Sequence, residues 1–274
     1  MAVSLAVLSL SASACPAAAS VTIGQLAPAP SVSCAGTTFD FAQPTVTSGS
    51  AYVVPQVPPA SSLVISSWSH NAANTAGPLT FKIFRPITGL TYTVVGHDGP
   101  RPLVPSSLNT FPVNIPAKPG DVIGINSAVP ATTACTFSAP GESFLLRSGN
   151  LADGESGAFS PGPADRGVNV SAVVAPSNAF TLGAVRRNKK KGTATLTVNV
   201  PNPGTVALSG KGIKPASAVS SAPGDVRLQI KATGKKRRKL NELGKVKVNP
   251  SVTYTPTGGV AATQSRKVKL RKRL

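Results

Sequence analysis

Segments near the C-terminus of the chain alternate strictly between apolar and polar residues. Thr193–Val200 puts an alanine, a leucine and two valines on one face and three threonines and an asparagine on the other. The same period of two recurs at residues 226–231, 245–248 and 266–270. Side chains alternate between the two faces of a β-strand, so this pattern predicts antiparallel sheet with one buried and one solvated face. About 95 residues with six or seven such strands favour an immunoglobulin-like sandwich.

The earlier part of the chain predicts a second sandwich. Its short runs rich in Val, Thr, Leu and Phe are separated by turn formers such as Gly77-Pro78, Asp98-Gly99-Pro100 and Lys118-Pro119-Gly120-Asp121. The predicted strands are residues 62–69, 79–85, 91–95, 111–115, 122–126, 143–146 and 168–174. Seven or more short strands without helical periodicity indicate a sandwich of jelly-roll type. The expected fold is therefore all-β, with two β-sandwiches.

Charge divides the chain into two parts. Residues 1–176 contain six basic and seven acidic side chains, a net charge of −1, whereas the last 98 residues contain 22 basic and two acidic ones, a net charge of +20. We place the boundary at Pro176. This predicts a jelly-roll-like domain at residues 20–176 and a basic immunoglobulin-like domain at residues 177–274.

The first residues have the pattern of an export signal. Residues 2–14 form an apolar stretch of signal-peptide length, and Ala17 and Ala19 supply an A-x-A cleavage pattern. We expect residues 1–19 to be a signal peptide, and the protein to be secreted or extracellular, with the cell wall as a site of association. No Lys or Arg precedes the stretch, which favours a start codon upstream of Met1. Lipidation of Cys15, which would make the chain a lipoprotein, is the alternative.

Cysteine usage agrees with export. Cys34 and Cys135 remain after the predicted cleavage, and two cysteines in an oxidising compartment predict one structural disulfide. It would close a loop of about 100 residues, for which the chain-entropy model gives roughly 4–5 kcal/mol of stabilisation. Two buried free thiols are the alternative.

Several stretches resemble secreted proteins of high-GC bacteria in which a jelly-roll-like domain precedes a basic immunoglobulin-like module. In the C-terminal part they are FTLG from Phe180, KKKGTATLTV from Lys189, PGTVALSGKG from Pro203, LGKVKV from Leu243 and YTPTGG from Tyr254. In the N-terminal part they are ISSWS from Ile65, FRP from Phe84 and PGDVIGI from Pro119. The resemblance covers most of the mature chain. It implies export and the two-sandwich fold, and it carries no functional residue.

The motifs of common enzyme classes are missing from the sequence. It has no G-x-S-x-G, S-x-x-K or H-E-x-x-H pattern, and its two histidines, His70 and His97, are expected to be solvated loop residues. Most of the seven N-terminal carboxylates have turn-type neighbours. A calcium site at Asp153 and Glu155 is a weaker alternative, because the EF-hand spacing is absent. We therefore expect no enzyme activity, cofactor or metal, with an unrecognised hydrolase acting through paired carboxylates as an alternative.

Carbohydrate binding through the N-terminal domain is the second functional hypothesis. Lectin-like sandwiches stack sugars on exposed aromatic rings, and Trp68 is the single tryptophan. We expect Arg85, His70 and Tyr92 as its neighbours in such a site. Trp68 and Arg85 are the candidate site residues. A lone tryptophan in a sandwich is more often part of the core, so the structural role of Trp68 stays the competing interpretation.

The leading hypothesis rests on the basic C-terminal domain. Its clustered cations would attract a polyanion such as an anionic cell-wall polymer, an acidic polysaccharide or anionic lipid headgroups. The candidates are Arg186, Arg187, Lys189, Lys190, Lys191, Lys235, Lys236, Arg237, Arg238, Lys239, Lys267, Lys269 and Arg271. Export and the scarcity of aromatic side chains argue against nucleic acid as the partner in vivo. A solvated sheet face protected by lysines is the alternative.

Overall fold

The computed structural model describes residues 20–28, 34, 37–56, 62–127 and 133–274. Described residues form 22 β-strands and one α-helix, so the chain is all-β, as expected. The predicted signal peptide, its cleavage site and Cys15 lie outside the described residues. No helix in the described part of the chain is long and apolar enough to cross a membrane.

Thirteen strands precede residue 177. They are β1 (Val21–Gln25), β2 (Phe39–Ala42), β3 (Leu63–Asn71), β4 (Leu79–Thr88), β5 (Thr91–Arg101), β6 (Leu108–Ala117), β7 (Val122–Ser127), β8 (Thr136–Ser138), β9 (Leu145–Ser148), β10 (Ser156–Ala158), β11 (Ser160–Pro161), β12 (Arg166–Val168) and β13 (Val170–Pro176). The remaining elements are β14 (Thr181–Asn188), β15 (Thr193–Val200), β16 (Gly204–Ser209), β17 (Ala216–Ser220), β18 (Gly224–Ile230), α1 (Gly234–Leu243), β19 (Lys245–Val248), β20 (Ser251–Pro256), β21 (Ala262–Ser265) and β22 (Val268–Arg271).

Residues 20–176, which we call the N-terminal half, form two main sheets. One has the strand order β1-β13-β3-β6 and the other the order β10-β5-β4-β7-β2-β9-β11, and β8 pairs separately with β12. A single hydrophobic cluster takes side chains from both main sheets. Trp68 from the first sheet stacks on Phe81 from the second, with 5.5 Å between ring centroids. The disulfide between Cys34 and Cys135 is present, which confirms the predicted pairing.

Residues 177–274, the C-terminal half, have a separate hydrophobic cluster that shares no residue with the first. The sheets are β14-β15-β18, β17-β16-β20-β21 and the two-stranded ribbon β19-β22. The predicted alternation is observed: in Thr193–Val200 every second residue, from Ala194 to Val200, is buried. Burial of these apolar side chains supplies the hydrophobic driving force for the pairing of β15 with its neighbours.

The two halves contact each other through a buried asparagine. Asn202 lies in the turn after β15 and is 2% exposed. Its Oδ1 accepts from the Ser62 amide at 2.7 Å, and its Nδ2 donates to the carbonyls of Ser62 and Ser177, both at 2.9 Å. These three bonds tie the turn to the start of β3 and to the chain segment that joins the halves.

Two local expectations are wrong. Asp98-Gly99-Pro100 is not a turn but lies inside β5, where the pairing with β4 shifts register between Leu79 and Phe81. His70 is not a solvated loop residue but is fully buried in β3. The turn-forming residues around Gly99 and the polar side chain of His70 suggested loops. In the structure the side chains of Asp98 and His70 form hydrogen bonds within the N-terminal half.

Helix α1 was not expected from the alternation. It contains the run Lys235 to Lys239, and only Leu240 is buried, so no apolar stripe marks it in the sequence. Lys, Arg, Leu and Glu are good helix formers. The helix ends at Leu243, and the next residue, Gly244, has a φ of 62°, the left-handed conformation common after a helix C-terminus.

Candidate polyanion-binding site

The two-stranded ribbon β19-β22 displays cations on its outer face. Val246 and Val248 pair with Leu270 and Val268, and all four side chains are buried in the C-terminal core. Because side chains alternate, the intervening cations point outward: Lys245 lies opposite Arg271, and Lys247 lies opposite Lys269. Directly opposed like charges destabilise a strand pair. The ribbon therefore carries an electrostatic cost that its apolar face offsets.

Helix α1 lies beside this ribbon. Leu240 anchors it in the C-terminal core, and the Nζ of Lys236 donates to the carbonyl of Lys247 at 3.1 Å. A groove of about 290 Å³ separates the helix from the ribbon. It is lined by Lys236, Lys239, Lys245, Val246, Lys247 and Lys269. The groove thus has five ammonium groups around one valine and no acidic side chain.

The turn after β14 brings further cations to the same end of the molecule. The Nε of Arg187 donates to the carbonyl of Lys269 at 2.8 Å, and the Arg273 amide donates to the carbonyl of Lys189 at 2.8 Å. A Cβ on Gly192, in the same turn, would lie 3.0 Å from a Leu240 methyl group, so the turn also reaches the helix. Sequence-distant basic segments meet here. We call Arg187, residues 189–191, residues 235–239, Lys245, Lys247, Lys269 and Arg271 the basic face.

Of the predicted candidates, Lys236, Lys239 and Lys269 line the groove, and two others lie outside the basic face. Arg186 lies on the outer face of the sheet β14-β15-β18, where it lines a separate pocket of about 470 Å³ with Arg227 and Asp225. Lys267 precedes β22 and is exposed. Conversely, Lys245 and Lys247 line the groove but were not among the predicted candidates. Their position opposite Arg271 and Lys269 follows from the pairing of β19 with β22, which sequence runs do not reveal.

The charge of the basic face is not neutralised within the molecule. The four ion pairs among the described residues all lie in the N-terminal half. Only Asp225 and Glu242 are acidic in the C-terminal half, and Asp225 accepts a hydrogen bond from Asn199 at 3.0 Å. The first turn of α1 has no acidic residue, so the positive end of the helix dipole adds to the potential.

Aromatic stacking is not available in the C-terminal half. Its two aromatic residues, Phe180 and Tyr254, are 3% and 0% exposed and pack edge-to-face in the core. Proteins that bind single-stranded nucleic acid combine cations with exposed aromatic rings. The basic face offers only the electrostatic part of that recognition.

Trp68 does not offer a ring to a sugar. It is 0% exposed and packs between Phe81 and Phe111, and its Nε1 donates to Asp98 at 2.7 Å. The candidate assignment of Trp68 to carbohydrate binding is therefore corrected: the side chain is part of the core. Sandwich packing favours this position, because a large ring fills the space between the two sheets.

Arg85, the other candidate residue for carbohydrate binding, forms an ion pair within the protein. Its Nε and Nη2 donate to the two carboxylate oxygens of Asp121, at 2.8 and 2.9 Å. Asp121 is 1% exposed and also accepts from the Lys118 amide at 2.7 Å. The bidentate pair fixes the turn between β6 and β7, which accounts for both side chains structurally.

The remaining polar candidates of the N-terminal half also serve as structural groups. Asp153 and His97 form a pair at 2.8 Å, and Glu155 accepts from the Ala152 amide at 2.8 Å. Burial raises the pKa of Glu142, but hydrogen bonds from Thr47, Ser48 and Gln43 leave it below its usual value. Among the described residues, no group of three or more His, Cys, Asp or Glu side chains lies close enough to hold a metal ion.

His70 has a neutral, fully bonded ring. Its Nδ1 lies 2.7 Å from the Asn169 carbonyl and its Nε2 lies 2.9 Å from the Thr133 hydroxyl. Burial lowers the pKa of His70 to about 4. The carbonyl can only accept, so the proton is on Nδ1 and the Thr133 hydroxyl donates to Nε2.

Comparisons with known proteins give no relative from which a function could be inferred, so the inference rests on the fold and the basic face. No protein-family model matches the sequence, and a search of curated proteins finds no match.

Proposed function

We propose that this protein is a non-catalytic, secreted or cell-envelope protein whose basic face associates with an anionic envelope polymer. The observation that carries the proposal is the convergence of sequence-distant basic segments around a groove lined by five lysines and no carboxylate. A charge of +20 on 98 residues is more than solubility requires. The N-terminal half would then act as a binding or structural module.

The proposal includes the finer fold assignment. A jelly-roll-like sandwich for residues 20–176 is supported by two main sheets that share one core. An immunoglobulin-like sandwich for residues 177–274 is supported by its own core and short antiparallel strands. The same two-domain arrangement belongs to the secreted proteins that the sequence resembles. The disulfide is compatible with an oxidising compartment.

The mechanism of binding is electrostatic. A cation that neutralises a charge on a polyanion releases condensed counterions, so affinity falls with salt in proportion to the number of contacts. Lysines are compact point charges that suit phosphate and sulfate groups without fixing their orientation. If the five groove lysines each make one contact, the logarithm of the affinity should fall with the logarithm of salt concentration with a slope of about −3 to −5.

The test is equilibrium binding of the full chain to long-chain polyphosphate over a series of salt concentrations. The groove variant Lys245→Gln with Lys247→Gln removes two charges from exposed strand positions and relieves repulsion from Arg271 and Lys269. This variant should therefore fold normally and bind polyphosphate about tenfold more weakly. Its slope of log affinity against log salt concentration should be less negative by about two, because two contacts are lost.

The matched control removes the same charge elsewhere. Lys118→Gln with Arg227→Gln changes two cations that line no part of the groove. If binding depends on the basic face, the control keeps the slope of the original protein. Equal weakening in both variants would instead show that net charge alone governs binding, and a salt-insensitive or undetectable interaction would contradict the proposal.

A further inference from the structure

A lysine, an aspartate and an asparagine meet inside the N-terminal half. The Nζ of Lys82 lies 2.6 Å from the Oδ1 of Asp40 and 2.6 Å from the Oδ1 of Asn150. Lys82 is 2% exposed and Asp40 is 0% exposed. A buried charge is expensive unless it is paired, so the Lys82 ammonium requires the Asp40 carboxylate.

Four adjacent strands build the cluster, in the order β4-β7-β2-β9. Lys82 is on β4 and Asp40 on β2, and β7 lies between them, pairing with both. Asn150 follows β9, which pairs with the other edge of β2. Asp40 also receives hydrogen bonds from Asn126 at 2.9 Å and from the Leu151 amide at 3.0 Å. The sheet register therefore fixes the carboxylate, while the Leu151 amide holds the segment that carries Asn150 against it.

The amine of Lys82 lies within reach of the amide carbon of Asn150. Its distance to Cγ is at most the 2.6 Å contact plus one C=O bond of about 1.2 Å. That upper limit lies a few tenths of an ångström above the separation of about 3–3.5 Å between reacting atoms in a near-attack arrangement, and any bend at the carbonyl oxygen shortens it.

Asp40 can accept a proton from the Lys82 ammonium, to which it is hydrogen-bonded. Burial lowers the pKa of Lys82, while the bond to Asp40 raises it, and the net direction is downward. Asp40 is the proton acceptor in contact, and moving one proton from Nζ to Asp40 turns a buried ion pair into a neutral pair, which a low-dielectric site tolerates better.

We propose that Lys82 and Asn150 form an intramolecular amide bond, with Asp40 as the proton-transfer group. Asp40 takes a proton from the Lys82 ammonium, and the free amine attacks Cγ of Asn150. The C–N bond to the asparagine amide nitrogen then breaks. Asp40 gives that proton to the departing amide nitrogen, the second proton lost by Nζ passes to Asp40, and ammonia leaves. The reaction joins an amine and a carboxamide into a secondary amide plus ammonia, and it needs no oxidant, reductant or cofactor.

The exit route is open at the asparagine. Asn150 is exposed, although its Oδ1 contacts the buried amine, so ammonia can leave to solvent. The bond would link two positions 68 residues apart, in a half that already has one covalent link between Cys34 and Cys135. This site is separate from the basic face, so its test is independent of the proposed function.

The experiment is intact-mass measurement of the full, reduced chain, followed by tryptic peptide mapping. The amide predicts a mass about 17 Da below that calculated for the same chain from its observed N-terminus, since one ammonia is lost. It also predicts no tryptic cleavage after Lys82 and one cross-linked peptide that contains Lys82 and Asn150. Asn150→Ala, at an exposed position, should fold, restore the full mass and restore cleavage after Lys82.

Three results would overturn the proposal. The first is full mass with normal cleavage after Lys82 in the original protein. The second is loss of ammonia with cleavage after Lys82 retained, because that indicates cyclisation of an asparagine onto the backbone. The third is a mass deficit that persists in Asn150→Ala, which would assign the lost ammonia to another residue.

Discussion

The two halves of the molecule treat charge in opposite ways. The N-terminal half has nearly balanced charge and buries part of it: Lys82, Asp40, Asp121 and Glu142 are each at most 3% exposed and each has hydrogen-bond partners. The C-terminal half has eleven times as many basic as acidic residues and leaves its cations at the surface without ion pairs. Similar sheets over apolar cores thus support two different uses of charged residues.

This difference between the halves separates charged residues that stabilise the fold from charged residues that are available to bind a partner. A buried charge is stable only with its partners, so its residues cannot change separately. An exposed, unpaired cation contributes little to stability and stays available for binding. We infer that substitutions in the N-terminal cluster affect folding, whereas substitutions on the basic face affect binding.

Lys82→Met should have the largest effect on stability. It leaves Asp40 buried without its cation, and where the proposed amide has formed it removes that link as well. We expect the free energy of unfolding to fall by about 3–5 kcal/mol in urea denaturation. Lys239→Met on the exposed side of α1 is the comparison and should change it by less than about 0.5 kcal/mol. Equal effects of the two substitutions would remove the contrast between the halves.

Replacing both Cys34 and Cys135 with serine should have the next largest effect. The disulfide spans 101 residues, and its loss releases the corresponding chain entropy of the unfolded state. A decrease of about 2–5 kcal/mol in unfolding free energy is expected, measured by chemical denaturation without reductant. A polyanion affinity that survives this change under folding conditions would support binding through the C-terminal half alone.

Acid should weaken the N-terminal half through His70. Its pKa is about 4 in the folded chain and about 6.5 when unfolded, so the unfolded chain binds the proton first as pH falls. The contribution of His70 to the free energy of unfolding is therefore fully present above pH 6.5. It declines by up to about 3 kcal/mol as the pH falls to 4. Denaturation at a series of pH values checks this.

The matched variants for the acid effect are His70→Asn and His97→Asn. The first should be less stable at neutral pH but lose the slope between pH 6.5 and 4, because the buried titrating ring is gone. The second changes an exposed histidine and should keep the slope. A slope that persists in His70→Asn would assign the acid sensitivity to another group.

Lys247→Glu should have the smallest effect and the opposite sign. It replaces a lysine opposite Lys269 with a carboxylate, so repulsion across β19 and β22 becomes attraction. We expect about 0.2–1 kcal/mol of stabilisation in thermal denaturation, smaller at high salt. Arg227→Glu, opposite Thr197, is the control and should gain less. Stabilisation together with weaker polyanion binding would show that the basic face is kept at a cost in stability.

The strands could be predicted where one sheet face is solvated. In Val226–Ile230 the alternation of buried and exposed residues matches the sequence pattern directly. In β7 all six residues are buried, so no alternation exists and only turn formers and apolar content marked the strand. Short strands such as β8 and β11 have too few residues to produce a pattern and were not predicted.

The candidate site could be predicted only in part. Runs of Lys and Arg marked the basic segments, but their meeting around one groove depends on the pairing of β19 with β22 and on the anchoring of α1 by Leu240. Local sequence does not encode such long-range contacts. The same limit explains Lys82: its partners Asp40 and Asn150 are 42 and 68 residues away, and no local motif joins them.

The most direct test of the central claim is hydrogen–deuterium exchange of the full chain with and without long-chain polyphosphate. The account predicts slower exchange in Gly234–Leu243, Lys245–Val248 and Val268–Arg271, with little change before residue 177. Protection confined to the N-terminal half, or equal at the outer face of the sheet β14-β15-β18, would contradict it.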